Sequence, residues 1–465
     1  IISFMAQTNN PNLLGTEPLG KLLIQYSIPA IIAMTVTSLY NIIDSIFIGH
    51  GVGPLAISGL ALTFPLMNLI IAFCTLIGVG GAAISSIYLG QKDNRKASEV
   101  LHNVLILCII AGFCFGGITW YFLDKILLFF GASEDTLPYA RDFMQVLLLG
   151  NPVSFLFIGL NNVMRATGYP KKAMLSSLLT VGVNIILAPV FIFHLKWGIR
   201  GAAMATVLAQ ICGLAWVLYH FLQSSSYIHF QKGYYRLNRH IMGHIFSIGM
   251  APFLLNVCAS GIVIILNHNF KLYGGDLAIG AYGIVNRVAT LFVMVVIGLT
   301  QGMQPIVGYN FGARHWERVQ QTLQKVILLA VTIMGVGWLM SELLPGHLVA
   351  MFSDDRELNL LAEVGLRITI LSFPMVGAQI VITNFFQSIG KAQISILLSL
   401  ARQLLFLVPL LYTLPHIGHL DIYGVWGSMP VADTLAFIAA ILTLRWYLKK
   451  LKRQRAGNNL VTNLE

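Results

Sequence analysis

Apolar residues in this chain run on rather than alternate. Twelve such stretches stand out, at 19–46, 55–82, 96–123, 138–162, 172–194, 199–222, 242–270, 277–303, 321–345, 359–388, 392–415 and 422–448. Each has the ~20 residues that carry a helix across ~30 Å of hydrocarbon. A barrel strand would instead alternate apolar and polar positions over ~10 residues. The pattern therefore predicts an all-α polytopic membrane protein with twelve transmembrane helices.

The punctuation between the stretches repeats. A shift of 222 residues pairs Gly53 with Gly275, Gly80 with Gly302, Gly90 with Gly312, Pro152 with Pro374, Asn162 with Asn384 and Gly168 with Gly390. SSIYLGQKDNRKASEVLHNVLIL (85–107) lies over VGYNFGARHWERVQQTLQKVILL (307–329), and the offset reaches 223 by Gly201 and Gly424. Six crossings per half is even, so both halves enter from the same face. This predicts two six-helix lobes related by a pseudo-two-fold axis along the membrane normal, an arrangement suited to alternating access. The lobes are assigned to 1–222 and 242–465, the second with a basic tail. Between them 223–241, QSSSYIHFQKGYYRLNRHI, is basic and carries Tyr227, Tyr234 and Tyr235. It suits either a surface helix at the membrane interface or a plain connector.

Composition agrees, with 57% hydrophobic and 10% charged residues and a mean hydropathy of +0.77. The net charge of +11 invites a nucleic-acid partner, but its placement removes that reading. With both termini inside, seventeen Lys and Arg of the connecting segments fall on the inner side and five on the outer, the positive-inside bias. No nucleic-acid partner is expected. No basic start with a long apolar core precedes Leu19, so no cleavable signal peptide is expected. Cys74, Cys108, Cys114, Cys212 and Cys258 all fall in apolar stretches without CxxC spacing, and the expectation is of small buried hydrophobes.

Few polar groups interrupt the spans, so each needs a reason. Asp44, late in the first, is the main one, because a carboxylate in hydrocarbon costs at least a few kcal/mol. Tyr40 lies one helical turn before it on the same face, where the two share a proton or ligate a cation. Arg165, Arg287, Arg367 and Arg402 are the basic groups within reach of a structural ion pair instead. Asn161 and Asn162 end the fourth stretch, Asn184 interrupts the fifth, and Thr206 and Gln210 stand four apart in the sixth. Together with Asp44 they supply hard oxygens for a small cation or a polar network around a proton site. Asp433, in the last stretch, either lines a cavity or pairs with a basic neighbour. No Walker-type phosphate loop and no HExxH occur, so neither a nucleotide-driven nor an enzymatic role is expected.

The chain resembles the multidrug and toxic compound extrusion (MATE) transporters from about Leu19 to Lys452. The likeness rests on NIIDSIFIGHGVGPLAISGLALTFP (41–65), MRATGYPKKA (164–173), AIGAYGIVNRV (278–288), GLTQGMQPIVGYNFGA (298–313) and FFQSIGKA (385–392). It implies two six-helix lobes around a V-shaped cavity, and export of lipophilic, often cationic organic compounds in exchange for protons or Na⁺, with no cofactor. It matches the family's first-span acid to Asp44, with Tyr40 a turn before, and its first-lobe polar network to Asn161, Asn184 and Thr206. Two departures matter. Relatives of the archaeal type carry a second acid where this chain has Ala188. The second-lobe acids of other relatives are missing from residues 246–270, and the tenth stretch offers only Glu363. Asp44 is therefore expected to couple nearly alone, to a proton by preference or to Na⁺ held with Asn184 and Thr206. Tyr40, Gln210 and Asp433 are the candidates for contact with substrate.

The alternative within the same superfamily is a flippase of lipid-linked saccharides. It would need a strongly basic cavity, and the intramembrane arginines here are few and scattered. The expected setting is a bacterial inner membrane with both termini cytoplasmic. The expected partners are small organic molecules and the bilayer, and the expected state is a monomer.

Overall fold

The structure is a computed structural model and describes residues 13–52, 54–223, 226–231, 236–352 and 355–462. No strand occurs among them. Ten helices are long and apolar enough to cross a membrane, and two bent helix pairs bring the number of crossings to twelve. In chain order, spans 1 to 3 are Leu19–Gly51, Pro54–Gly90 and Asn94–Phe129. Span 4 is the pair Leu137–Leu149 and Asn151–Ala166, and spans 5 to 9 are Pro170–His194, Gly198–Leu222, Arg239–Gly275, Leu277–Gly312 and Trp316–Leu343. Span 10 is the pair Arg356–Ile370 and Phe373–Ser388, span 11 is Ala392–Ile417, and span 12 is Asp421–Thr462.

The sequence pattern misses the bends in spans 4 and 10, which are 57° and 51°. Each falls beside a proline, Pro152 or Pro374, that lacks an N–H for the preceding turn and whose ring crowds the carbonyl four residues back. Apolar content is blind to such a break. The outer faces are greasy, as hydrocarbon demands. On span 3, Ile110, Phe113, Ile118 and Tyr121 are 46%, 67%, 64% and 82% exposed. The cysteines divide accordingly: Cys74 and Cys108 are buried, Cys258 is half-buried, and Cys114 and Cys212 lie on the surface, against the expectation that all five are buried.

The repeat recurs in backbone conformation. Spans 2 and 8 end alike: the Asp93 N–H donates to the Tyr88 carbonyl at 3.0 Å, and the His315 N–H to the Asn310 carbonyl at 2.8 Å. Each closure places one residue in the left-handed region, Lys92 at φ 61° and Arg314 at φ 59°. Gly168 and Gly390 follow spans 4 and 10 at φ 107° and 74°. Asn162 and Asn384 each donate to the carbonyl four residues back, at 2.8 and 2.9 Å. Gly275, at φ 68°, breaks the helix between spans 7 and 8; Gly53, its repeat partner, lies outside the described residues.

Contacts divide the chain into two compact units. The first comprises residues 1–260, 297–322 and 387–396. Within it, glycines let backbones meet. A Cβ on Gly90 would overlap the Tyr309 carbonyl, and one on Gly312 would overlap the Ile87 carbonyl. These two contacts exchange under the 222-residue shift. Gly80 lies equally close to the Ile245 carbonyl and Gly249 to the Leu76 carbonyl, while Gly298 and Gly302 close on Ile31 and Ser27. The seam is tied at its end by Asn310, which donates to the Leu14 carbonyl at 2.9 Å, and by Arg318, which donates to the carbonyls of Leu14 and Glu17 at 3.2 and 2.6 Å.

The described part of 223–241 is a connector up to Asn238, not the surface helix that was one of its two readings. Its backbone is held by one turn, the Ser226 N–H on the Gln223 carbonyl at 3.0 Å, by the Phe230 N–H on the Phe221 carbonyl at 2.9 Å, and by side chains. The Nε2 of His102, whose Nδ1 lies 2.7 Å from the Ser98 carbonyl, accepts from the Gln231 N–H at 3.2 Å. Asn103 accepts from the Asn238 N–H at 2.9 Å, and Tyr169 from the Tyr227 N–H at 3.1 Å. Tyr234 and Tyr235 lie outside the described residues.

The second unit comprises 261–296, 323–386 and 397–465. Trp426 is fully buried and packs on Phe270, ring centroids 4.4 Å apart. Beside this core Asp433, 6% exposed, accepts from Arg402 Nε at 2.6 Å and from the Ser372 hydroxyl at 3.1 Å. Arg402 sits in a π-helical stretch, Ala401–Leu407. Breaking a buried pair strands a charge, whereas replacing both partners with apolar groups need not. Arg402→Met is expected to destabilise the protein by about 3 kcal/mol, near the low end for such pairs because the arginine is partly exposed. Arg402→Met with Asp433→Leu is expected to recover most of that, both read as shifts of the thermal unfolding midpoint.

Candidate functional site

The first unit brings three of the sequence candidates together. Spans 1, 5 and 6 present Tyr40, Asn184 and Thr206 to one another, and the hydroxyl of Thr206 is the hub. It donates to the Ala202 carbonyl at 3.2 Å, closing on its own helix. Asn184 Nδ2 donates to it at 3.0 Å, and the Tyr40 hydroxyl lies 3.1 Å from it. A threonine hydroxyl has one proton and two lone pairs. With its proton on Ala202, it accepts from Asn184 through one lone pair and from Tyr40 through the other. The Tyr40 phenol is therefore the donor, and its oxygen keeps its acceptor capacity. Asn184 is 2% exposed, and its Oδ1 meets no donor among the described residues.

Asp44 follows Tyr40 by one turn of span 1. Its Oδ1 is buried and has no hydrogen-bond partner. Of the four arginines weighed as ion-pair partners, two are engaged elsewhere. Arg165 donates to Asn161 and Asn162 at 3.4 and 3.3 Å, and Arg402 belongs to Asp433. Arg287 and Arg367 make no described pair with Asp44. An unpartnered carboxylate oxygen shielded from water is expensive as an anion and inexpensive as an acid. Ala188, one turn after Asn184, is fully buried and offers no second carboxylate.

The remaining candidates stand elsewhere. Asn161 donates to the Ser176 hydroxyl at 2.6 Å and to the Ala173 carbonyl at 3.0 Å. Ser176 is eight residues before Asn184, about 12 Å along the helix, so Asn161 belongs to a separate network with Arg165. Gln210 accepts from the Ser154 hydroxyl and so fastens span 6 to the second helix of the bent span 4. Asp433 lies in the second unit, in its ion pair. Sequence reasoning missed Ser176 and Ser154 as partners of these groups; serines that face a neighbouring helix have no period of their own to betray them. No cluster of three His, Cys, Asp or Glu suited to a metal occurs among the described residues.

Comparison with known proteins gives the family. The model described as MatE matches residues 29–190 and 251–413, two segments that fall one in each half of the repeat. The multidrug export protein MepA of Staphylococcus haemolyticus is 30% identical over 91% of this chain and 92% of its own length. That of Staphylococcus aureus is 27% identical over 92% and 93%. Among solved structures, the MATE multidrug transporter DinF-BH is 34% identical, with a TM-score of 0.85 over 93% of this chain and 96% of that one. An outward-facing conformation of a multidrug resistance MATE family transporter superposes with a TM-score of 0.91 at 25% identity, over 96% of this chain and all of that one. The fold is accordingly the all-α one of twelve membrane helices in two lobes. With both halves matched and full-length relatives on either side, the chain belongs to the MATE family, whose members are membrane transporters and not enzymes.

Proposed function

We propose that this protein is a multidrug exporter that moves lipophilic, often cationic organic compounds outward in exchange for protons, with Asp44 as the coupling carboxylate. The observation that carries the reading is the buried, unpartnered Oδ1 of Asp44. Its neutral form is favoured inside and its charged form is favoured on exposure to water, so an alternation of access becomes an alternation of charge. Tyr40 transmits the change to the first lobe through Thr206, and Asn184 holds that hub from span 5. The lobes are taken as 1–222 and 242–465, joined by 223–241, with both termini in the cytoplasm of a bacterial cell.

The hub also bears on the ion. A Na⁺ site at Asp44, Asn184 and Thr206 needs oxygens with lone pairs to give. Both lone pairs of Thr206 are taken while Asn184 and Tyr40 bind it, so Na⁺ would have to displace one of them. A proton needs only the carboxylate, and this supports the proton. In the outward-open state protonation of Asp44 rearranges the first lobe and expels substrate. Release of the proton to the inside then reloads the drug. Exchange requires that ion and drug favour different states, by about 1–3 kcal/mol of coupling. Tyr40 and Gln210 remain the substrate contacts suggested for the first lobe.

In liposomes, an inward proton gradient is expected to drive efflux of a fluorescent lipophilic cation by the wild type, and an inward Na⁺ gradient is not. Asp44→Asn is expected to reduce driven efflux to the level of protein-free vesicles while the protein still elutes as a folded monomer. Wild-type rates in that variant would end the coupling role of Asp44, and drive by Na⁺ alone would replace the ion. Thr206→Val keeps the shape of the hub and removes its oxygen. It is expected to lower stability by about 1–3 kcal/mol, the cost of stranding the donors of Asn184 and Tyr40. Combined with Asn184→Leu the loss is expected to fall short of the sum, read from thermal unfolding of the single and double variants.

A further inference from the structure

The seam of the first unit carries a cavity of about 1010 Å³ that the transport reading does not use. It is lined from both repeats at once: Leu89–Lys92 at the end of span 2, Gly312–His315 at the end of span 8, and Gly15, Thr16, Asn94, Tyr227 and Tyr309 around them. Its charges are of one sign. Lys92 and Arg314 line it and no acid does. The two acids nearest in sequence are committed elsewhere. Glu17 pairs with Lys21 at 2.8 Å. The Lys96 backbone N–H, at 3.0 Å from Asp93, holds that carboxyl below its usual range, and the Lys96 ammonium pairs with it at 3.1 Å. Neither Lys92 nor Arg314 has an ion-pair partner among the described residues.

The conformation of these two cations is a second, independent observation. Both occupy the left-handed cap of their helix, where glycine is the usual residue and a side chain costs roughly 1–2 kcal/mol. The chain does use glycine at the repeat-related caps that follow spans 4 and 10, Gly168 and Gly390. A basic side chain stands in the left-handed region at two other repeat-related pairs, Lys92 with Arg314 and Lys196 with His419. Of these two pairs only Lys92 and Arg314 line the cavity. A basic residue at a helix C-terminus recovers about 0.3–1 kcal/mol from the dipole, less than the strain. Strain of this kind, held in place by surrounding structure, marks sites of function. Two cations on one cavity that no acid lines suit an oxyanion such as a phosphate.

We propose that this cavity binds a phosphate group, carried by an anionic lipid headgroup or by a soluble phosphate compound, and that the phosphate bridges Lys92 and Arg314 across the repeat and holds the glycine seam shut. The two caps are brought together by the contacts of Gly90 with the Tyr309 carbonyl and of Gly312 with the Ile87 carbonyl. A ligand that needs both cations therefore binds the closed seam alone and stabilises it by mass action. With both termini in the cytoplasm, as proposed above, the consequence is a regulatory anion site on the cytoplasmic side.

Hydrogen exchange of segments 86–93 and 308–315 tests this without any transport assay, so its outcome is separable from the coupling role of Asp44. The full chain is placed in nanodiscs of phosphatidylcholine, with inorganic pyrophosphate added or with phosphatidylglycerol mixed into the lipid. At about ten times Kd, exchange of both segments is expected to slow by roughly tenfold. Slowing by pyrophosphate identifies a soluble phosphate as sufficient; slowing by phosphatidylglycerol alone identifies a headgroup. Lys92→Asn with Arg314→Asn removes both charges with a residue at home in the left-handed region, and is expected to abolish the slowing. Lys92→Arg with Arg314→Lys is expected to retain it, as is Arg239→Gln with Lys391→Gln, which removes two charges away from the cavity. No slowing by either phosphate source overturns the proposal. So does slowing that survives the Asn pair, or that is lost equally in the control pair, since either result reduces the effect to diffuse surface charge.

Discussion

Hydrocarbon offers no hydrogen bonds, so each polar group inside the bilayer must find its partner within the protein or act as a site. Most of the irregularities of this structure follow from that constraint. The bend in span 4 is fastened by Ser154 to Gln210 of span 6. The π-helical stretch in span 11 carries an arginine whose charge is met by Asp433 and whose acid is met again by Ser372. Threonines along the spans return their hydroxyls to carbonyls four residues back, as Thr37, Thr322 and Thr443 do at 2.7 Å. Other buried polar atoms also lack a hydrogen-bond partner among the described residues, the Ser85 hydroxyl and Arg165 Nη1 among them; Asp44 is set apart because it is a carboxylate with no ion pair there either.

The arrangement around it divides labour between rigid and labile parts. Thr206 is saturated, so it fixes spans 1, 5 and 6 at one point and gives nothing to a passing ion. Asp44 is unsaturated, one turn away on the same helix as Tyr40. A change in its charge alters the field at the phenol that the hub depends on.

Much of the fold is legible in the sequence because hydropathy and the internal repeat report it directly. Twelve crossings and the pairing of the halves follow from residue type and spacing; whether Asp44 meets an arginine does not, and only the structure leaves its Oδ1 without a partner. The bends at Pro152 and Pro374 do not, since a proline near a span end and a proline at a bend read alike. The conformation of 223–241 was open for a similar reason: three tyrosines and several cations suit a membrane surface, but three of the segment's N–H groups go to His102, Asn103 and Tyr169, residues that are distant in sequence. At the site, Tyr40, Asn184 and Thr206 were nameable because they are polar where polarity is rare. That Asn161 belongs with Arg165 instead was not, because eight residues of helix separate Ser176 from Asn184 and only the neighbouring helix decides which turn it faces.

The reciprocal glycine contacts bind the history of the two halves together. Gly90 lies on the backbone of residue 309 and Gly312 on that of residue 87, so each half is the template against which the other is measured. One residue added to span 2 above its end would turn Gly90 by about 100° around the helix and set a side chain against a carbonyl. A change of length within the seam would break both contacts at once. The offset behaves accordingly: it is 222 at positions 80, 87 and 90, and has become 223 by Gly201 and Gly424.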